Sequence, residues 1–92
     1  MHRVKWISKA LSDLSRLFEF LAQVNRKAAA KTIQSLTSAP QKIIEQPRIG
    51  EQLDEFEGRE VRRLLIGHYE MRYELTHDSV YILRIWHTRE SR

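Results

Sequence analysis

The sequence predicts an α+β fold, a helical hairpin packed on an antiparallel sheet in the order β-α-α-β-β-β, built as one domain over residues 1–92. Three observations predict it. Apolar residues recur at three- and four-residue steps in the first half of the chain and alternate with polar ones in the last third. Pro47 and Gly50 stand at the boundary between the two regimes. The chain has 92 residues, enough for one core and too few for two.

The opening HRVKWI alternates, with Val4 and Trp6 on one face, and reads as a short strand. Ser8 stands where an N-cap belongs. Ala10, Leu11, Leu14, Leu17, Phe18, Leu21 and Val24 then form the stripe of an amphipathic helix. Asp13, Arg16, Glu19, Phe20 and Gln23 lie off it, and Phe20 is an aromatic on the polar face. Asn25 ends this helix and caps the next, which carries Ala29, Ile33, Leu36, Ile43 and Ile44 inward. Pro40 lacks an amide, which predicts a kink or a break into two segments.

Residues 50–58 (GEQLDEFEG) read as an acidic loop with Leu53 and Phe56 turned inward. REVRRLLI is a strand, Gly67–His68 a tight turn, and YEMRYELT a strand with Tyr69, Met71, Tyr73 and Leu75 on one face and Glu70, Arg72 and Glu74 on the other. His77–Asp78 turns the chain into SVYILRIWH, apolar on both faces except at Arg84, which predicts a central strand or one covered on both sides.

Composition excludes several classes. With no cysteine there is neither a disulfide framework nor a thiolate metal site, and the four histidines form no ligand motif. No metal and no cofactor is expected. No apolar run reaches the roughly 18 residues of a membrane span, so no membrane partner is expected and a cytoplasmic location fits. The net charge of +4 is uneven. Residues 1–46 carry eight basic residues against three acids; residues 47–92 carry eight arginines against nine acids. Arginine's planar fork suits carboxylate or phosphate, but a solvated surface mixing both signs is the commoner explanation of such counts.

Five stretches carry a family resemblance: W-x3-A-x2-D-L at Trp6, Ala10, Asp13 and Leu14; P-x-I-G at Pro47, Ile49 and Gly50; R-E-V-R at 59–62; G-H-Y-x-M-x-Y at 67–73; and V-Y-I-L-R-I-W-H-T-R at 80–89. In this order they resemble the ParE/RelE superfamily of toxins from type II toxin–antitoxin systems, over nearly the whole chain. The ending ILRIWHTRESR is closer to the ParE branch.

The resemblance implies a cytoplasmic growth inhibitor neutralised by a cognate antitoxin that wraps helices and sheet, with operator DNA reached only indirectly, through the antitoxin. The ParE branch implies DNA gyrase as target, bound without catalysis. The target-binding candidates are then Trp86, His87, Arg89 and Arg92, supported by Arg62 and Arg84. The RelE branch implies cleavage of messenger RNA on the ribosome, which needs an acid, a base and cations around a phosphate. His87 would serve as acid or base, with Arg84, Arg89 and Arg62 as cations. Yet no tyrosine follows Trp86, and Glu70 and Glu74 flank Arg72 with the wrong charge for phosphate. A non-toxic interaction module of the same fold is the third reading. For the antitoxin, Phe20, Arg72 and Tyr73 are the contact candidates, and an unpaired sheet edge is another. The plainer alternatives stand beside these: His87 as an imidazole hydrogen-bonded at a strand end, and Tyr69, Tyr73, Trp6 and Trp86 as core.

Overall fold

A computed structural model describes residues 3–90. Strand β1 (Arg3–Trp6) leads into helices α1 (Ser8–Ala22) and α2 (Arg26–Glu45). Strands β2 (Glu51–Leu53), β3 (Glu60–Ile66), β4 (Tyr69–Leu75) and β5 (Ser79–His87) follow. The sheet order is β1-β5-β4-β3-β2. β2 to β5 form the antiparallel meander, while β1 pairs with β5 in parallel, from Arg3 opposite Ser79 to Trp6 opposite Ile82. The order along the chain matches the α+β expectation with one strand added, because residues 51–53 of the expected acidic loop pair with β3. That strand has three residues and no apolar alternation, so periodicity could not reveal it.

α1 packs on β5 and against α2, and the core joins Leu17, Leu36 and Ile43 to Met71, Tyr73, Val80, Ile82 and Ile85. Burying an aliphatic side chain of this kind stabilises by about 1.5–3 kcal/mol. The inward face of α1 differs from the expected stripe. Ala10, Asp13 and Leu17 are buried, whereas Leu11 is exposed. Steps of three and four from Ala10 reach Asp13 and Leu17, so the carboxylate belongs to the buried row.

Ser8 is not the cap. Ile7 takes that place without a side-chain bond: its amide donates to the Ile82 carbonyl (3.1 Å) and its carbonyl accepts from Ala10 and Leu11. The strand therefore runs directly into the helix, leaving Ser8 as its first residue. Asn25 does cap α2, its side chain accepting from the Ala28 amide at 3.0 Å. Pro40 does not divide α2, which runs unbroken through it. The proline withholds only the amide that would donate to Leu36. Pro40 is itself buried, beside buried Ala39 and Ile43, and this packing holds the helix together.

Gly67 turns β3 into β4 with φ +60°, where a side chain would be strained. Gly50 answers a different need. A Cβ there would lie 2.6 Å from the Arg63 carbonyl oxygen and 2.8 Å from the Tyr73 hydroxyl. One residue, Leu83, bulges out of β5 between the rungs Arg72–Arg84 and Tyr73–Ile82.

Candidate functional site

The sheet's arginines are paired with carboxylates. Arg84 grips Asp13 through two bonds, of 2.9 and 3.1 Å. Arg62 donates to Glu60 (2.9 Å) and to the Gly50 carbonyl (2.7 Å). Arg72 meets Glu70 at 3.1 Å, and Arg63 meets Glu51 at 2.6 Å and Glu70 at 3.5 Å. Arg59 meets Glu74 at 2.8 Å. Trp86 is buried, with the Arg72 and Arg84 guanidinium groups 4.9 and 5.0 Å from its ring centroid.

Asp13 also closes the sheet's edge. β1 ends at Trp6, which leaves the outer side of β5 unpaired beyond Ile82. There the Asp13 carboxylate accepts from the Ile85 amide (2.8 Å), Arg16 donates to the Ile85 carbonyl (3.4 Å), and Glu90 accepts from the His87 amide (2.8 Å) and from Arg16 (2.7 Å). Side chains thus replace a strand. Burial alone would push the Asp13 carboxyl up. Arg84, the Ile85 amide and Arg16 outweigh it and hold the group below the usual carboxylate range.

At the end of the sheet nearest the tip of the helical hairpin, α1 overhangs a cleft of about 530 Å3 between Phe20, Leu17 and Leu21 on the helix and Tyr69, His87 and Arg89 below. Phe20 is 68% exposed. The His87 ring lies edge-on to Tyr69, centroids 5.2 Å apart, and stacks on His68 at 6.0 Å. Its Nδ1 accepts from the Arg89 amide at 3.1 Å. The Arg89 side chain has no ion pair among the described residues. Tyr69 also borders a shallow hollow with Ile66, Gly67 and Ser35, which continues into a groove between α2 and β3 lined by Lys42, Ile49 and Leu65. β2 begins at Glu51, opposite Arg63, and runs back toward Val61, so at Leu64–Ile66 β3 has no outer strand among the described residues.

The expected sets separate accordingly. Of the target set, His87 and Arg89 reach the cleft; Trp86 is buried, Arg62 and Arg84 are paired, and Arg92 lies outside the described residues. Of the antitoxin set, Phe20 shares the cleft with His87 and Arg89, Arg72 is held by Glu70, and Tyr73 is wholly buried. The Tyr73 hydroxyl donates to the Pro47 carbonyl (2.8 Å) and accepts from the Gly50 amide (2.9 Å), so it offers a partner no surface. The nuclease set does not converge. Arg62 sits on the rung of Tyr73 and His87 on the rung of Tyr69, four residues or roughly 13 Å apart along β4. Among the described residues no group of His, Asp and Glu could hold a metal ion, and no helix is long and apolar enough to cross a membrane.

Sequence reasoning gave no site role to Asp13, Arg16 and Glu90. A signal existed for the first: Asp13 lies three residues from Ala10, and Arg84 is the one charge in an otherwise apolar strand. The bonds from Arg16 and Glu90 to the β5 edge depend on where β1 ends, which no local pattern records.

A family model described as the ParE toxin of the type II toxin–antitoxin system parDE matches residues 4–92. Among solved structures, one described as the chromosomal ParDE toxin–antitoxin system from P. aeruginosa is similar at a TM-score of 0.75 and 22% identity, over 92% of this chain and 94% of that one. No curated protein matches in sequence.

Proposed function

This chain belongs to the ParE toxin family of type II toxin–antitoxin systems, and we propose that it arrests growth by binding and inhibiting DNA gyrase without catalysing a reaction. The observation that carries this choice is the pairing of Arg62, Arg72 and Arg84 with Glu60, Glu70 and Asp13. A nuclease of this fold needs such cations turned toward a phosphate, and here carboxylates occupy them. What stays accessible is a rim suited to grasping a protein: an apolar cleft with Phe20 exposed and the Arg89 guanidinium beside it.

The antitoxin on this reading lays an extended segment along the open edge of β3 at Leu64–Ile66, its apolar side chains against Leu65 and Ile49 and an acid toward Lys42. It links the toxin to operator DNA in the cytoplasm. The test is a supercoiling assay with purified toxin. Inhibition that a cognate antitoxin reverses is the expected result. Unaffected supercoiling at a large excess of toxin rejects the reading, and transcripts cut on translating ribosomes would replace it with the nuclease one.

A further inference from the structure

The chain's net charge is not spread over its surface. Between Leu14 and Ile44 there is one acid, Glu19, against Arg16, Arg26, Lys27, Lys31 and Lys42. That excess of four equals the formal charge of the whole protein, so the remaining residues balance, eleven against eleven. The two groups of cations also differ in state. Most of the sheet's arginines are bound to carboxylates, and Arg16 is bound to Glu90. Lys27, Lys31 and Lys42 are exposed and have no ion pair among the described residues.

Helix geometry places these three together. At 3.6 residues per turn they fall within about 60° of one another, and they lie away from the row of Ala29, Leu36 and Ile43 that faces the core. Lys27 and Lys31 are one turn, about 6 Å, apart along the axis, and Lys42 stands about 16 Å further on. Polar Gln34, Ser35 and Ser38 fill the stripe between them. Lys42 stands in the last turn of α2, where a cation suits the helix dipole, but Lys27 and Lys31 repel as an i,i+4 pair of like sign in the first two turns, where positive charge is unfavourable.

We infer that this outer face of α2 binds the phosphate backbone of duplex DNA without reading sequence. Lysine is a flexible point charge with rotatable donors, suited to phosphate oxygens whose exact position varies, and contacts to phosphate carry no sequence information. Duplex DNA presents such oxygens as a dense line, one phosphate per 3.4 Å of axis on each strand, so flexible lysines strung along one stripe can each reach one. The inference does not depend on gyrase being the target, since it concerns naked DNA.

The experiment is fluorescence anisotropy of a labelled duplex of about 30 base pairs titrated with the free toxin at several salt concentrations. Three phosphate contacts give a slope of log affinity against log salt of about −2.7. K27E/K31E is expected to weaken binding at least tenfold and to flatten the slope by roughly 2, with the thermal melt unchanged. R3E/K5E on β1 changes the net charge equally and is expected to leave the slope alone. Three results overturn the proposal: no binding at tens of micromolar in 50 mM salt, equal loss in the two double variants, or tighter binding to a poly-glutamate peptide, which would identify an acidic protein as the partner.

Discussion

Replacing Asp13 with asparagine keeps the shape of the side chain and removes the charge that Arg84 and Arg16 face. Arg84 would then be left against a neutral amide at a half-buried site, at a cost of about 2–3 kcal/mol. The pH dependence has a definite sign. The folded-state pKa of Asp13 is lowered, so its stabilisation is complete above the unfolded value of about 3.9 and is lost as pH falls through the folded one. Urea melts of wild type and Asp13→Asn should therefore differ most at neutral pH and draw together below pH ~4; a constant gap would show that the charge is not the source. At Gly50 the constraint is steric. Gly50→Ala puts a methyl group 2.6 Å from a backbone carbonyl that cannot retreat without moving β3, and should destabilise by about 2 kcal/mol or more in the same melts. The motif P-x-I-G displayed this glycine in the sequence, but its reason, the tyrosine hydroxyl that its amide bonds, lies 23 residues away. Contacts that distant leave no local trace.

The elements were legible wherever one period governed them. β4 alternates and is found at Tyr69–Leu75, and β5 is apolar on both faces because Val80, Ile82 and Ile85 join the core while Trp86 is covered by the Arg72 and Arg84 guanidinium groups. The reading failed where backbone geometry overrides pattern: at Ile7, whose amide and carbonyl serve strand and helix at once, and at β2, held by pairing alone. Pro40 is the instructive failure, since a proline inside a helix usually signals its end. Pro40→Ala restores an amide to α2 and relieves the propensity penalty of about 3 kcal/mol, while the lost ring contacts return about 1 kcal/mol of that. A net gain of roughly 1–2 kcal/mol should raise the melting temperature by at least about 5 °C. A lower melting temperature would mean that the packing of the ring outweighs the missing bond.

For the whole molecule, the hollow below the hairpin joins what the sequence kept apart. The resemblance assigns Phe20 to the antitoxin and His87 and Arg89 to the target, yet one cleft holds all three, and Tyr69, Ile66 and Gly67 connect it to the groove at Leu65. Those residues come from α1, β3, β4 and the end of β5, so only the closed fold assembles them. An antitoxin segment entering at β3 and running the length of this trough would cover His87 and Arg89, making its binding and that of gyrase mutually exclusive. Leu65→Asp separates the two ends. Leu65 is 58% exposed, so the change should leave folding intact, while a carboxylate set against an acidic antitoxin segment should weaken capture at least tenfold. The same variant leaves the far cleft untouched and should inhibit supercoiling as strongly as wild type. It would then stay toxic in cells that contain antitoxin, whereas H87A/R89A should lose inhibition and keep antitoxin binding. If Leu65→Asp lost both activities with an unchanged melt, gyrase would be engaging the β3 edge itself, and the division of the trough between its two ligands would be wrong.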